Sequence, residues 1–342
     1  MDEAIKRRIV AILHLLREAG RPLGASRLAH ELETMGLDLS QRTVRNCLAL
    51  MDRMGLTRSC GKRGREITPL GERELANSFV AEKVGFISAK VDELAYEMTF
   101  KLRARRGTVI LNVSTLPAAR VAEAVAEVSA VFRAGLGMGR LAVAAGPGER
   151  IGSFHTPDGC VAVGTVCSVT LNGILLAAGI PTTARFGGLL ELRDGEPLRF
   201  TEIIHYEGTS LDPLEIFISG GMTSVRQAAR TGSGLIGAGF REIPGVAVPR
   251  VQKICKRLEE IGLGGLLMVG KPNRPLLEVP VPDGRAGLVV VGGLNPLAAV
   301  HEAGIPTENK ALSTLFDFEA LAPFEVMAER LAASQARSLG ES

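Results

Sequence analysis

Aromatic side chains and paired cysteines are scarce in this sequence. Its 342 residues include no Trp and only two Tyr, which argues against the aromatic platforms on which single-stranded nucleic acids stack. The number of cysteines is odd and none forms a C-x-x-C pair: Cys47, Cys60, Cys160, Cys167 and Cys255. We therefore predict neither a disulfide framework nor a zinc ribbon, and we expect a reducing compartment.

Long apolar runs are also absent. No run approaches the roughly 18 residues that a membrane-spanning helix needs, and the opening segment MDEAIKRR lacks the layout of a signal peptide. The sequence therefore predicts a cytoplasmic protein with no membrane partner. Its length of 342 residues is enough for two or three domains, each with its own core.

Positive charge is concentrated near the N-terminus. Residues 1–65 hold 13 Lys and Arg against 7 Asp and Glu, a net charge of +6, whereas the remainder carries a net charge of −3. The window 40–65 contains seven of these cations and one acid, Asp52. A basic segment on a mildly acidic body is typical of a protein that binds nucleic acid through that segment alone.

The pattern of residues 1–71 predicts a winged helix-turn-helix domain. Apolar residues recur at helical spacing over 4–17, 26–35 and 41–54, and Ser40 is a good N-cap for the third helix. Short extended runs at 56–58 and 66–68 flank a basic, glycine-containing tip, which predicts a β-hairpin. Three helices followed by a hairpin wing is the order of this fold.

We expect this domain to bind double-stranded operator DNA. The third helix would present its outward first turns to base edges, with Arg42 and Arg45 as the best candidates, and the wing would contact phosphates. The predicted DNA contacts are Ser40, Gln41, Arg42, Thr43, Arg45, Asn46, Lys62, Arg63 and Arg65. The alternative is a small helical domain whose charged face is merely solvated.

An internal repeat organises the rest of the chain. Pro157-Asp158-Gly159 recurs at residues 282–284, and Ala178-Gly-Ile-Pro-Thr182 recurs at residues 303–307, with an offset of 125 in both cases. Nine of the 26 positions from 157 to 182 are identical in the second copy, where chance would give about two. We therefore predict a duplicated mixed α+β (α/β) regulatory domain of two pseudo-symmetric lobes.

The predicted boundaries follow from this repeat. The first copy spans 107–233, including an extra tail with a strand at 199–206, and the second copy spans 234–330. One copy is expected to contain a strand, a helix, a strand, a short strand before the Pro-Asp-Gly turn, a buried strand, a helix and a strand. Residues 72–106 contain no Pro and a single Gly, which predicts an ordered, partly helical connector. Residues 331–342 would form a C-terminal tail.

A small anion could bind where buried strands turn into helices through small or polar residues. Such turns leave backbone N–H groups open at a helix N-terminus. Arg185 and Lys310 add a cation at the same position of each copy, and residues 219–224 form a third small-residue loop. The predicted contacts are Cys167, Ser168, Thr170, Asn172, Arg185, Gly220, Gly221, Thr223, Gly292, Gly293, Asn295 and Lys310. The alternatives are helix capping by Thr170 and Asn295, and a tight connection at the third loop.

Signals for catalysis or metal binding are weak. The five His are scattered, and none pairs with Cys or acids at the spacing of a metal site or an activated nucleophile. His155 and Asp158 flank the Pro157-Asp158-Gly159 turn, whose chemistry explains them, and Cys167 is best interpreted as a small buried thiol. We therefore predict no enzyme activity, no metal and no cofactor.

Three segments of the sequence resemble the NrpR family of nitrogen-regulatory repressors. They are Gly-Phe-Ile-Ser at 85–88, Gly-Thr-Ser-Leu-Asp-Pro-Leu-Glu-Ile-Phe at 208–217 and Gly-Gly-Leu-Asn-Pro at 292–296, together with the winged-helix pattern. The resemblance implies a homodimeric repressor of nitrogen-assimilation genes with one regulatory domain. It also implies 2-oxoglutarate as the effector that loosens operator binding. One alternative is a regulator that senses another carboxylate metabolite or a nucleotide, and a less favoured one is an enzyme with a DNA-binding appendage.

Overall fold

The chain forms two compact units that divide after residue 84. The computed structural model describes residues 3–34, 39–72, 75, 86–329 and 331. Parts of three predicted segments lie outside the described residues. They are Met35 at the end of the second helix, residues 73–74 and 76–85 of the connector, and residues 332–342 of the tail.

The N-terminal unit is a winged helix, which confirms the prediction. Its elements are α1 (Glu3–Ala19), α2 (Ala25–Thr34), α3 (Gln41–Arg53), β1 (Thr57–Ser59) and β2 (Arg65–Ile67). The Ser40 side chain accepts a hydrogen bond from the Thr43 N–H at 3.2 Å, so the predicted N-cap is present and α3 begins where the sequence indicates. Val44, Leu48 and Met51 are buried at helical spacing and join α3 to the core of this unit.

The two wing strands pair antiparallel, and a short 3₁₀ turn at Gly61–Arg63 connects them. Gly64 has a φ of 111°, and a Cβ on this residue would overlap the Leu23 carbonyl group. Leu23 and Arg65 exchange backbone hydrogen bonds of 2.9 Å in both directions. Glycine is therefore required where the wing crosses the turn between α1 and α2.

Residues 324–329 of the C-terminal unit are helical, and seven further helices and twelve strands lie in its described part. They are α4 (Phe86–Glu97), β3 (Thr108–Pro117), α5 (Val121–Arg133), β4 (Leu141–Ala145), β5 (Arg150–Ile151), β6 (Phe154–His155), β7 (Cys160–Val166), α6 (Val169–Ala177), β8 (Thr183–Arg193), β9 (Glu196–His205), α7 (Pro213–Ser219), α8 (Val225–Thr231), β10 (Gly234–Pro244), α9 (Val248–Glu259), β11 (Leu266–Val269), β12 (Arg285–Val291), α10 (Asn295–Glu302), β13 (Glu308–Asp317) and β14 (Ala322–Pro323). The order β3-α5-β4-β7-α6-β8 recurs as β10-α9-β11-β12-α10-β13, which confirms the duplication.

Two five-stranded sheets form the lobes, with the orders β11-β12-β10-β8-β9 and β13-β3-β7-β4-β14. All pairs of these strands are antiparallel. The strand that ends the recurring six-element order pairs with the first strand of the other copy, β8 with β10 and β13 with β3. Each lobe therefore contains strands from both copies, so the lobes do not coincide with the predicted copies 107–233 and 234–330. The pairing is non-local, and local sequence patterns carry no information about it.

The segment from Phe86 onward belongs to the C-terminal unit. Val91, Met98 and Phe100 are buried in the same core cluster as the sheets. A Cβ on Gly173 of α6 would lie 2.6 Å from the Met98 methyl group, so α4 and α6 pack closely. Helix α4 and the residues up to Phe100 therefore contribute to the core of this unit. The sequence predicted an ordered, partly helical connector over 72–106, and α4 is a helix within that range.

Candidate DNA interface and effector site

The polar face of α3 presents the side chains predicted to read DNA. Gln41, Arg42, Arg45 and Asn46 are exposed, and Thr43 is half-buried. The Gln41 Nε2 donates a 2.9 Å hydrogen bond to the Ser26 Oγ, which connects α2 to the start of α3. The first turn of α3 is thus held by its neighbour while its cations point to solvent, as a recognition helix requires.

The wing divides its cations between two roles. Lys62 and Arg63 are exposed at the tip, in agreement with phosphate contact. The Arg65 Nε donates to the Asp52 Oδ2 at 2.9 Å, and the Asp52 Oδ1 accepts from the Thr57 hydroxyl at 2.7 Å. Arg65 therefore ties the wing to α3, and the single acid of the basic window is paired with a cation of the same domain.

The two strand-to-helix turns of the regulatory unit meet in space. The Thr165 hydroxyl donates to the Gly293 carbonyl oxygen at 2.8 Å. A Cβ on Gly293 would lie 3.2 Å from the Cα of Cys167 and 2.6 Å from the Asn112 Nδ2. Gly293 therefore permits the close approach of the two turns. The N-termini of α6 and α10 come together at this contact, and Gly292 lies directly before it in the chain.

Thr170 and Asn295 act as pseudo-symmetric bridges within the fold. The Thr170 hydroxyl bonds to both the N–H and the carbonyl of Ile110 at 3.1 Å. The Asn295 amide bonds to the N–H of Gly237 at 2.9 Å and to its carbonyl at 3.0 Å, and also to the Leu136 carbonyl. These buried polar groups already have partners, which favours a structural role over ligand contact.

Arg185 and Lys310 have separate acidic partners in different sheets. The Arg185 Nη1 lies 2.6 Å from the Glu242 Oε1. The Lys310 Nζ lies 3.1 Å from the Glu308 Oε1 and 5.6 Å from the centre of the Phe154 ring. The prediction that these two cations hold one dianion finds no support in these contacts.

The third loop connects helices. The Thr223 hydroxyl donates to the Glu302 Oε1 at 2.7 Å, and the same carboxylate accepts the N–H groups of Val225 and Arg226 at the start of α8. Gly220 ends α7, and Gly221 has a φ of 64°. The loop is therefore a tight connection, one of the two interpretations that the sequence left open.

Arg241 is the residue that sequence reasoning missed. It lies in β10 and its side chain is fully buried. Its Nε donates to the Asn172 Oδ1 at 2.6 Å, and its Nη2 donates to the Ser168 Oγ at 2.8 Å. Two of the predicted ligand contacts therefore hold a guanidinium. The sequence feature that could have pointed to Arg241 is the charged pair Arg241-Glu242 inside an otherwise apolar strand.

Burial makes the acidic groups around Arg241 harder to ionise than usual. Burial, and then the charge of Glu215, raise the pKa of the Asp212 carboxyl from its ordinary value of 3.8 to about 7. Burial raises the pKa of the Tyr206 hydroxyl and raises that of the Cys167 thiol to about 11. Burial lowers the pKa of the Arg241 guanidinium, which still stays charged at neutral pH. The cluster therefore has a positive centre, and its thiol is poorly suited to act as a nucleophile.

The described residues contain neither a metal-binding cluster nor a membrane-spanning helix. In residues 3–34, 39–72, 75, 86–329 and 331, no three or more His, Cys, Asp or Glu are arranged to hold a metal ion. Over the same ranges, no helix is both long and apolar enough to span a bilayer.

Family comparisons match both units. Residues 84–323 match the family of NrpR regulatory domains NRD1 and 2, and residues 10–75 match the ribonuclease R winged-helix domain. A crystal structure of a nitrogen repressor-like protein from Methanococcus jannaschii matches with a TM-score of 0.59 at 28% identity. It covers 69% of this chain, and 97% of that chain is covered in return.

Three curated relatives are named as global nitrogen regulators. NrpRI of Methanosarcina mazei is 34% identical over 94% of this chain and 99% of its own length. NrpR of Methanococcus maripaludis is 32% identical over 91% of this chain, and NrpR of Methanocaldococcus jannaschii is 30% identical over 93%. The chain spans only 54% and 55% of these two proteins. All three names are those of regulators, in keeping with the prediction of a non-enzyme. On this evidence, the chain belongs to the NrpR family of nitrogen regulators.

Proposed function

We propose that the chain is a cytoplasmic, DNA-binding repressor of nitrogen-assimilation genes whose C-terminal unit binds 2-oxoglutarate and thereby weakens operator binding. The observation that carries the DNA-binding part is the face of α3. Arg42 and Arg45 are exposed there, and the wing adds exposed Lys62 and Arg63. Relatives over nearly the whole chain are named as nitrogen regulators, which supports the choice of target genes.

The proposed repressor acts as a homodimer. Winged-helix and helix-turn-helix proteins commonly place two recognition helices in successive major grooves, so that a palindromic operator matches the two-fold symmetry of the protein. With about eight cations of a dimer on phosphates, the logarithm of affinity would fall with the logarithm of salt concentration at a slope near −7. A slope shallower than about −2 would contradict this mode of binding.

The effector part of the proposal rests on the positive centre of the regulatory unit. 2-Oxoglutarate carries two carboxylates, and a buried guanidinium in a surrounding of low charge attracts such a group. Ligand-coupled equilibria of this kind typically shift by about 1–3 kcal/mol, which corresponds to a 5- to 150-fold change in operator affinity.

The test measures binding to duplex DNA taken from upstream of nitrogen-assimilation genes, in constant salt, with and without millimolar 2-oxoglutarate. We expect tighter binding than to an unrelated duplex, and a loss of affinity when 2-oxoglutarate is added. Arg42→Ala and Arg45→Ala should each cost about 1–3 kcal/mol of discrimination between the duplexes. Arg133→Ala, which removes an exposed cation of the other unit, is the matched control. Equal affinity for both duplexes would contradict sequence-specific repression.

A second candidate is a regulator that senses a different small anion. The favouring observation is that the described cluster contains one buried guanidinium, Arg241, which satisfies one carboxylate or phosphate group. A thermal-shift screen of small carboxylates and nucleotides separates the candidates. Stabilisation by another anion, with none by 2-oxoglutarate, would select this second candidate.

A further inference from the structure

The side chain of Arg241 is an unpaired buried charge. Among the described residues, it is the largest side chain that is fully buried. Both of its hydrogen-bond acceptors, the Ser168 Oγ and the Asn172 Oδ1, belong to neutral groups. Its Nη1 has no hydrogen-bond partner among the residues that the structure describes. A buried cation without a compensating anion costs several kcal/mol, so this arrangement calls for an explanation.

Two buried acids of the same unit are paired with arginines. Glu242 is 4% exposed and lies 2.6 Å from Arg185. Glu127 is 8% exposed and lies 3.0 Å from Arg226 and 2.8 Å from Arg230. The fold thus supplies partners for buried acids elsewhere, and Arg241 is different.

Asp212 does not serve as the missing partner. Its Oδ1 accepts the Leu214 N–H at 2.9 Å and caps α7, and no ion pair joins Asp212 to Arg241 within the described part of the chain. The raised pKa of Asp212 also leaves this carboxyl partly protonated near neutral pH. Its electrostatic effect on the guanidinium is therefore smaller than that of a full negative charge.

Two further features of the surroundings suit an anion. Ser168 precedes α6, a helix of nine residues, so the positive end of the helix dipole adds to the guanidinium charge. Gly239 lies beside the unpartnered nitrogen, and a Cβ at this position would come within 2.8 Å of the Arg241 Nη1. Glycine therefore keeps that side of the guanidinium free of a side chain.

The duplication indicates one such position per chain. Aligning Gly107–Pro117 with Gly234–Pro244 places Ser114 of the first copy opposite Arg241 of the second. Ser114 is also buried, and its Oγ has no hydrogen-bond partner among the described residues. Serine brings no charge, so the pseudo-symmetric position lacks the cation. One copy alone thus supplies the guanidinium.

We infer that Arg241 binds a carboxylate of the small anionic effector through Nη1, while Ser168 and Asn172 hold its guanidinium in place. This inference rests on the proposed function only in that the regulatory unit binds a small anion. Because Arg241 is fully buried, the ligand enters when part of its surroundings is displaced. Segment 207–211 connects Tyr206 to Asp212 beside Arg241. It is largely exposed, and it bonds internally through the Thr209 hydroxyl and the backbone of Leu211.

The experiment is calorimetric titration of the full chain with 2-oxoglutarate, glutarate, succinate and acetate. Arg241→Met removes the charge but keeps an apolar side chain of similar length, and Arg241→Lys keeps the charge but loses the fork of donors. Gly239→Ala keeps the arginine but adds a methyl group 2.8 Å from Nη1, so the guanidinium must shift. Its matched control is Gly264→Ala, where the nearest atom to the added Cβ is 3.5 Å away. Arg133→Gln controls for the loss of one cation.

We expect Arg241→Met to bind the effector at least about 30-fold more weakly, the loss typical of a charged hydrogen bond. Its Tm should stay within about 4 °C of the parent, because removing an unpaired buried charge offsets the lost hydrogen bonds. Arg241→Lys and Gly239→Ala should weaken binding several-fold, whereas the two controls should bind as the parent does. A purely structural role would instead lower Tm and leave affinity unchanged.

The outcomes separate this inference from the proposed function. If the parent binds 2-oxoglutarate and Gly239→Ala and Arg241→Lys bind it equally well, the site is wrong and the proposed effector stands. If the parent binds another carboxylate and these variants lose it, the site stands and 2-oxoglutarate is replaced. If the parent binds none of the four carboxylates, the site is overturned. Failure of Arg241→Met to fold leaves the decision to the other two variants.

Discussion

The carboxyl of Asp212 makes the stability of the regulatory unit depend on pH in an unusual direction. Burial and the charge of Glu215 raise its pKa from 3.8 to about 7, against the opposing effects of the Leu214 and Glu215 N–H groups and of Arg241. Tyr206 and Cys167 also lie within electrostatic range of it. A carboxyl whose folded pKa is raised holds its proton more tightly in the folded state. Its contribution is therefore neutral well below pH 3.8 and becomes destabilising as pH rises to about 7, above which it is constant.

Asp212→Asn removes this ionisation and keeps an oxygen that can accept the Leu214 N–H at the start of α7. With pKa values of 3.8 unfolded and about 7 folded, linkage predicts a destabilisation of the parent of about 2 kcal/mol at pH 5 and about 4 kcal/mol at pH 8. The advantage of the variant should therefore grow by roughly 2–3 kcal/mol over this interval.

Urea denaturation of the full chain, followed through the transition of the regulatory unit at pH 5 and pH 8, measures this difference. Subtracting the parent from the variant removes the contributions of other titrating groups, and Glu260→Gln, a change at an exposed acid after α9, gives the background. If Asp212→Asn is more stable than the parent by the same amount at both pH values, the raised pKa of the buried Asp212 carboxyl is refuted.

Three other perturbations test separate parts of the account. Ser40→Ala should lower the stability of the N-terminal unit by about 1 kcal/mol, because it removes the acceptor for the Thr43 N–H. Circular dichroism melting measures this loss, and an unchanged melt would contradict the cap. Lys62→Ala should reduce the magnitude of the salt slope of DNA binding by about 1 per bound subunit, and an unchanged slope would remove the wing tip from the interface. Gly293→Ala should lower the Tm of the regulatory unit by an amount equivalent to about 1–3 kcal/mol, because its Cβ would lie 2.6 Å from the Asn112 Nδ2. A Tm equal to that of Gly264→Ala would contradict the tight contact.

Local sequence signals predicted the N-terminal unit well because its elements depend on local chemistry. The cap at Ser40, the helical spacing of Val44, Leu48 and Met51, and the glycine-containing wing each act over a few residues, and the structure contains all of them. The ion pair between Arg65 and Asp52 was not foreseen. It joins residues 13 apart, and no periodicity relates a helix residue to a wing strand.

The regulatory unit was predicted in outline and missed in its connections. Repetition with an offset of 125 showed the duplication, but the exchange of β8 and β13 between lobes depends on pairing across the whole domain. The same limit applies to the site. Ser168 and Asn172 were selected for their place before and in a helix, whereas Arg241 reaches them from a strand 73 residues beyond Ser168. Arg185 and Lys310 matched in the repeat because they occupy the equivalent strands β8 and β13, and each lies beside an acidic partner of its own.

The coupling of the two units is tested most directly by the ratio of operator affinities without and with 2-oxoglutarate. Fluorescence anisotropy at one salt concentration measures this ratio for the parent and for Arg241→Met. A ratio of about 5 to 150 in the parent, falling to one in the variant while operator binding without ligand is retained, is the predicted result. A parent ratio of one, or a variant that responds as strongly as the parent, would contradict the account.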